Sequence, residues 1–225
     1  PAVYNTADEP KVEELPDGTL LISSRYNGGR YYNYFTYTDV NSGAGNWEVA
    51  RFSGASNGGV ESKDNSTNGE VMVLPVTRVE DGEPMHILLQ SLPLGPDRKS
   101  VGIYYKEIES QEDYLSSFDI AANWDGVKQV TSLNSAYSTM AWQKDNRLGF
   151  LYEEETHCNT SRGGYTIVYK NYSIEQITDS AFTYDASSKA EDVVKAGIDS
   201  RKIQAGEGKY VGEYKASSVA TVDEA

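Results

Sequence analysis

Leu15-Pro16-Asp17-Gly18-Thr19-Leu20-Leu21-Ile22-Ser23-Ser24-Arg25 runs a tight polar turn straight into a stretch of β-favouring residues. Pro presets the φ of a turn, Asp bonds its own backbone and Gly tolerates φ > 0, so the segment reads as a turn followed by a strand. Trp142-Gln143-Lys144-Asp145-Asn146-Arg147-Leu148-Gly149-Phe150 repeats the theme, and Tyr37-Thr38-Asp39 running through glycines to Trp47 adds a third variation. Between them lie short runs that read as strands: 19–24, 31–37, 48–52, 70–75, 86–91, 101–106, 139–143, 148–153 and 165–170. Asn27-Gly28-Gly29 and Asn41-Ser42-Gly43-Ala44-Gly45 punctuate the first of these as turns. Nine short strands at this spacing indicate an all-β chain, a sandwich, a barrel or propeller blades; the recurring strand–turn–strand unit favours blades. At ~40–50 residues per blade, residues 1–183 make about three or four, too few to close a ring.

Composition agrees. Seventeen tyrosines and twenty glycines against five phenylalanines, with 38% hydrophobic residues, suit half-exposed strands joined by glycine turns. The formal charge of −14, with no basic run, excludes a nucleic-acid partner, since phosphate binding depends on clustered Lys and Arg. Any anion site must then be a local arginine cluster in a cleft, where low dielectric makes a few cations count. One cysteine, Cys158, and two distant histidines leave no disulfide framework, and neither a metal nor another cofactor is expected. No apolar stretch approaches the ~20 residues of a membrane span, and the first residues lack a signal-peptide pattern.

From about Tyr184 the texture changes. Ala186-Ser187-Ser188-Lys189-Ala190-Glu191-Asp192-Val193-Val194-Lys195-Ala196 places a serine cap before an amphipathic helical pattern, and the rest lacks strand alternation. Residues 184–225 read as a linker and the start of a small helical module, or as an acidic disordered tail.

Chemistry-bearing residues recur at matched spacings. Tyr137 sits among small residues in Ser135-Ala136-Tyr137-Ser138-Thr139, sixteen positions before Glu153, which closes Gly149-Phe150-Leu151-Tyr152-Glu153. Glu9 precedes Arg25 by sixteen, and Arg98 lies in Ser91-Leu92-Pro93-Leu94-Gly95-Pro96-Asp97-Arg98. Each residue alone reads as structural; Glu153, for example, heads an acidic run with Glu154 and Glu155. Together, a phenol, a carboxylate and two guanidinium forks at strand ends can hold a carboxylate and attack beside it.

In this order the segments resemble the C-terminal half of the sialidase family, six-bladed propellers that hydrolyse terminal α-linked sialic acids; the likeness covers residues ~5–178. It implies Tyr137 as nucleophile and Glu9 as the base that takes its proton. Arg25 and Arg98 are then the grip on the substrate carboxylate, Glu153 a group that orients a further arginine, and Asn68 of Ser66-Thr67-Asn68-Gly69-Glu70 part of a pocket-lining turn. A tyrosine suits this substrate because its neutral phenol approaches an anomeric carbon bearing a carboxylate, where a carboxylate nucleophile meets like charge; sialidases stand outside the two-carboxylate scheme of glycosidases for this reason. The resemblance also implies sialylated glycans as partners and a secreted or cell-surface location. It puts another arginine and an aspartate acid upstream of Pro1, so that the chain alone is expected to be inactive. Lys11 stands where the family more often has glutamine, and the family's aspartate-box repeats survive only in traces such as Tyr37-Thr38-Asp39. A trans-sialidase, a non-catalytic sialic-acid-binding propeller and a purely structural β-domain remain alternatives. Three sequons, at Asn65, Asn159 and Asn171, are adequately explained by chance.

Overall fold

Three antiparallel sheets account for the strands, and the middle one packs on both its neighbours. A computed structural model describes residues 8–155 and 164–185; all but the last belong to one of the two units into which the chain divides, Pro1–Tyr184. The helical module expected over 184–225, Cys158 and the Asn159 sequon lie outside the described residues, except for the first two positions of that module.

The first sheet runs β1 (Asp8–Glu14), β2 (Leu20–Tyr26), β3 (Gly29–Asp39), β4 (Ala44–Trp47), with β5 (Arg51–Ser53) also pairing with β3. The turn before β2 forms as its residues dictate: Gly18 adopts φ 87°, and Asp17 accepts from the Thr19 N–H and hydroxyl, both at 3.0 Å. The expected strand at 48–52 is broken. Glu48 and Val49 leave the ladder to hold helix α1 (Ser117–Ala121): Glu48 Oε2 accepts from Ser117 N at 2.9 Å and Val49 O from the Ser117 hydroxyl at 2.7 Å. Strand β1, Asp-Glu-Pro-Lys-Val-Glu-Glu, has little strand propensity and forms because it is an edge, where charge and proline are tolerated.

The middle sheet contains β6 (Val71–Arg78), β7 (Pro84–Gly95), β8 (Lys99–Ile108) and β9 (Gly126–Gln129); the third is β10 (Ser135–Trp142), β11 (Leu148–Glu154) and β12 (Thr166–Tyr172). After the single turn of helix α2 (Ile174–Ile177), the chain returns as β13 (Phe182–Tyr184) to the far edge of β6. Strand β7 explains the arrangement. Its sequence is apolar almost throughout because both faces are covered. Ile87 and Leu89 join Phe150, Tyr152 and Met140 of the third sheet in one core, while Leu88 and Leu92 join Leu21, Tyr32 and Tyr34 of the first in another. Successive side chains of a strand point to opposite faces, so one strand serves two cores. The described residues thus form an all-β partial propeller of three blades.

Candidate active site

Tyr137 and Glu9, 128 residues apart in sequence, are in direct contact. The Tyr137 hydroxyl donates to Glu9 Oε1 at 2.9 Å, and Arg25 Nη1 donates both to Glu9 Oε1 at 2.8 Å and to the Tyr137 oxygen at 2.9 Å. Two local irregularities produce this meeting. The β1–β2 register shifts between Asp8 and Lys11, and Glu9 at the bulge takes φ 45°, a left-handed conformation that costs a non-glycine residue about 1–2 kcal/mol. The β10–β11 register shifts between Ser135 and Ser138, so Tyr137 sits on a second bulge. Its peptide N–H, out of the ladder, donates to Glu153 Oε2 at 3.1 Å. Glu153 therefore holds the backbone of Tyr137, a contact that sequence spacing did not suggest.

Arg98 also stands against the ring. Its Cζ stands 5.7 Å from the Tyr137 ring centroid and that of Arg25 6.0 Å, both within cation–π range. Arg98 occupies the β7–β8 turn with φ 58°, next to Asp97 at φ 56°. The turn is pinned on two sides: Arg98 N donates to Asn65 Oδ1, and Arg98 O accepts from Ser135 N at 2.7 Å. Asn65 is 2% exposed and holds this turn, so its sequon is structural. Among the described residues no carboxylate forms an ion pair with Arg98.

Asn68 lines a pocket of about 180 Å³ with Tyr137, Thr139, Leu151, Glu153 and Ile167. Its Oδ1 is buried without a partner among the described residues, as is Glu9 Oε2. Gly69 is what allows the loop to lie here, since a Cβ at that position would stand 1.8 Å from Ser91 O. Lys11, flagged as a departure, pairs with Glu70 at 3.3 Å, and Glu70 also accepts from the Thr139 hydroxyl at 2.8 Å.

The electrostatics keep the phenol neutral at rest. Burial, followed by the hydrogen bond to Glu9, raises Tyr137 above the ordinary phenol range by more than Arg25 lowers it. Burial works against charge on Arg25, but the hydrogen bond and charge of Glu9, with Tyr137 and Asp8, outweigh it and raise the guanidinium. A proton on the phenol, an acceptor already bonded to it and two cations against the ring form a set able to activate an oxygen nucleophile next to an anion.

Several supporting residues escaped the sequence reading. Ser66 Oγ accepts from Arg25 Nε at 2.9 Å, and Asp8 stands 3.5 Å from the same nitrogen. Arg30, fully buried, donates to Ser23 Oγ at 3.0 Å, Ser23 O at 3.1 Å and Thr67 O at 2.9 Å. Ser23 and Tyr32 donate to Gln90 Oε1 at 2.6 and 3.1 Å, and Ser138 donates to Ser91 Oγ at 2.9 Å. Ser23, Ser66, Thr67, Ser91 and Ser138 lie in segments already quoted for their neighbours, but nothing in the sequence marked their own side chains as partners. Among the described residues no group of three His, Cys, Asp or Glu is placed to hold a metal, and no helix is long and apolar enough to cross a membrane.

No protein-family model matches the chain, and no curated protein matches it. Solved structures do. An intramolecular trans-sialidase from Ruminococcus gnavus, solved with oseltamivir carboxylate, is 22% identical with a TM-score of 0.54 over 76% of this chain and 33% of that one. A mutant of the NanB sialidase from Streptococcus pneumoniae is 20% identical with a TM-score of 0.53 over 76% of this chain and 24% of that one. The chain therefore has a sialidase-like fold and spans a third or less of the length of these neighbours.

Proposed function

We propose that this chain contributes the nucleophilic half of a retaining exo-α-sialidase site acting on terminal sialic acids of extracellular glycans. The observation that carries the reading is the three-way contact of Tyr137, Glu9 and Arg25, reached only through two bulges in separate blades. In the first step the Tyr137 oxygen bonds to the anomeric carbon, its proton passes to Glu9 Oε1, and the glycosidic C–O bond breaks. Arg25 and Arg98 hold the sugar's carboxylate as planar donors that stay charged. Arg25 also steadies the phenol oxygen as its charge develops. Glu153 keeps the nucleophile's backbone on its bulge, and the Asn68 amide faces the sugar across the pocket. In the second step water attacks the anomeric carbon and gives its proton to the acid that protonated the leaving group, the carbon–tyrosyl bond breaks, and the phenol oxygen takes back the proton held on Glu9. Protonation of the first leaving oxygen is not supplied by this set; the family resemblance assigns it to an aspartate.

A substrate whose leaving group needs no proton tests the nucleophile directly. With a 2,3-difluorinated sialic acid, fluoride departs unaided and the fluorine at C3 slows breakdown of the intermediate. The expected result is a mass increase of one fluorosialyl group on the peptide containing Tyr137, absent in Tyr137→Phe. Labelling at another residue, or no labelling together with no binding of sialic acid, overturns the proposal.

A further inference from the structure

Tyr137 and Glu9 come from the third and first sheets, which share no hydrogen-bonded strand pair among the described residues; each packs on the middle sheet instead. A group outside the reacting atoms has to fix their separation, because the bond between phenol and carboxylate is given up once Tyr137 carries a sugar. Arg25 does not serve this purpose. It shares the first sheet with Glu9, and its hydrogen bond to the third runs to the phenol oxygen itself.

Glu70, the residue that leads into β6, bridges the same two strands one step along. Its Oε2 accepts from the Thr139 hydroxyl at 2.8 Å and stands 3.3 Å from Lys11 Nζ. Thr139 lies two residues beyond Tyr137 on β10, and Lys11 two beyond Glu9 on β1. The backbone of Glu70 is pinned to the centre of β7. Glu70 N donates to Ser91 Oγ, and Glu70 O accepts from Ser91 N and Gln90 Nε2, each at 2.9 Å. Gln90 and Ser91 are fully buried, and Gln90 Oε1 is in turn occupied by the hydroxyls of Ser23 and Tyr32. The carboxylate is therefore a fixed post on the middle sheet, holding the first sheet with one contact and the third with the other.

The Glu70 side chain is 16% exposed and that of Lys11 31%, a setting in which an ion pair adds little to stability. Its consequence is positional. A nucleophile and its base work within hydrogen-bond distance, and a misplacement of ~1 Å costs on the order of a hundredfold in rate. The Lys11 ammonium also offsets the charge of Glu70, so that this carboxylate does not repel an anionic sugar from the pocket that Thr139 lines with Tyr137. We propose that Glu70 is a positioning residue, tying Lys11 to Thr139 so that Glu9 and Tyr137 keep their separation through both steps; the inference rests on the roles proposed above for those two residues.

The test follows labelling of the full chain by the 2,3-difluorinated sialic acid, separating the maximal rate from the half-saturating concentration. Beside it, the NMR resonance of isotope-labelled Tyr137 Cζ is recorded, assigned by its loss in Tyr137→Phe. Glu70→Ala and Lys11→Met should each lower the maximal rate by at least about tenfold, leave the half-saturating concentration within about twofold because the arginines are untouched, and shift the Tyr137 resonance. Glu70→Lys sets two cations together and should label no faster than Glu70→Ala. Adding Lys11→Glu to it restores the pair with charges exchanged, and the new ammonium can donate to the Thr139 hydroxyl, so both the rate and the resonance should return towards the parent. An unchanged maximal rate, a change confined to the half-saturating concentration, or a charge exchange no better than Glu70→Lys alone each overturns the proposal. Should Glu70→Ala fail to fold, Lys11→Met and the charge exchange read the same quantities. Absence of labelling at Tyr137 in the parent defeats the reading of the site instead; the resonance then decides the positioning role by itself, and one that stays unmoved in Glu70→Ala and Lys11→Met ends it.

Discussion

Replacing Arg30 by lysine tests whether the buried scaffold behind the candidate site is held by guanidinium geometry. Arg30 is 0% exposed and spreads three donors over Ser23 Oγ, Ser23 O and Thr67 O, at 3.0, 3.1 and 2.9 Å. Burial lowers its pKa to about 10, so the cation is held at a cost that only well-made hydrogen bonds offset. Hydrogen bonds to charged groups contribute about 1.5–3 kcal/mol each. A lysine ammonium, shorter and without the fork, keeps one of the three, so Arg30→Lys should lose at least about 3 kcal/mol. For a domain of this size that lowers Tm by about 6–12 °C, at roughly 2–4 °C per kcal/mol. The loss reaches the site because Thr67 lies between Ser66, which accepts from Arg25, and Asn68, which lines the pocket. Sialic-acid affinity, measured by calorimetric titration well below the lowered Tm, should fall as well. A thermal melt by circular dichroism within about 2 °C of the parent would refute the reasoning, since the fork would then contribute nothing a point charge cannot.

Two further outcomes follow from particular contacts. If Glu153 acts as the acceptor for the bulged Tyr137 N–H, Glu153→Ala strands a half-buried donor and costs about 1–3 kcal/mol, whereas Glu153→Gln keeps a carbonyl there and stays within about 0.5 kcal/mol. Urea midpoints measure both, and equal losses would mean that the charge rather than the acceptor matters. Tyr32, Tyr34 and Tyr152 are buried with phenols raised chiefly by burial, while the unfolded chain releases those protons near pH ~10. Above that pH the folded state binds more protons, so stability is fully present below the unfolded phenol range and falls as pH rises, by up to ~1.4 kcal/mol per unit for each phenol. Urea unfolding at several alkaline pH values, with absorbance at 295 nm, should show tyrosinate appearing with unfolding; stability that stays flat across the range contradicts the assignment.

The strands were legible because period-two alternation and turn chemistry are local properties. The turn at 15–19 forms through contacts two to four residues apart, and the run 86–91 that reads as a strand lies within β7. The ordered segments, with the family they resemble, also pointed to Tyr137, Glu9, Arg25, Arg98, Asn68 and Glu153, and the structure brings these residues around one pocket and one ring. What stayed hidden depends on partners distant in the chain. The charged edge strand β1 exists only by pairing with β2, the break at Glu48 answers a helix N-terminus 69 residues on, and β13 returns to β6 across about a hundred residues. The left-handed Glu9 is the clearest case. Nothing local favours that conformation at a glutamate, and it persists because Arg25 and Tyr137, from two different blades, hold the carboxylate in place. Periodicity decides which residues form strands; the side-chain contacts between blades decide where the two bulges aim the phenol and the carboxylate.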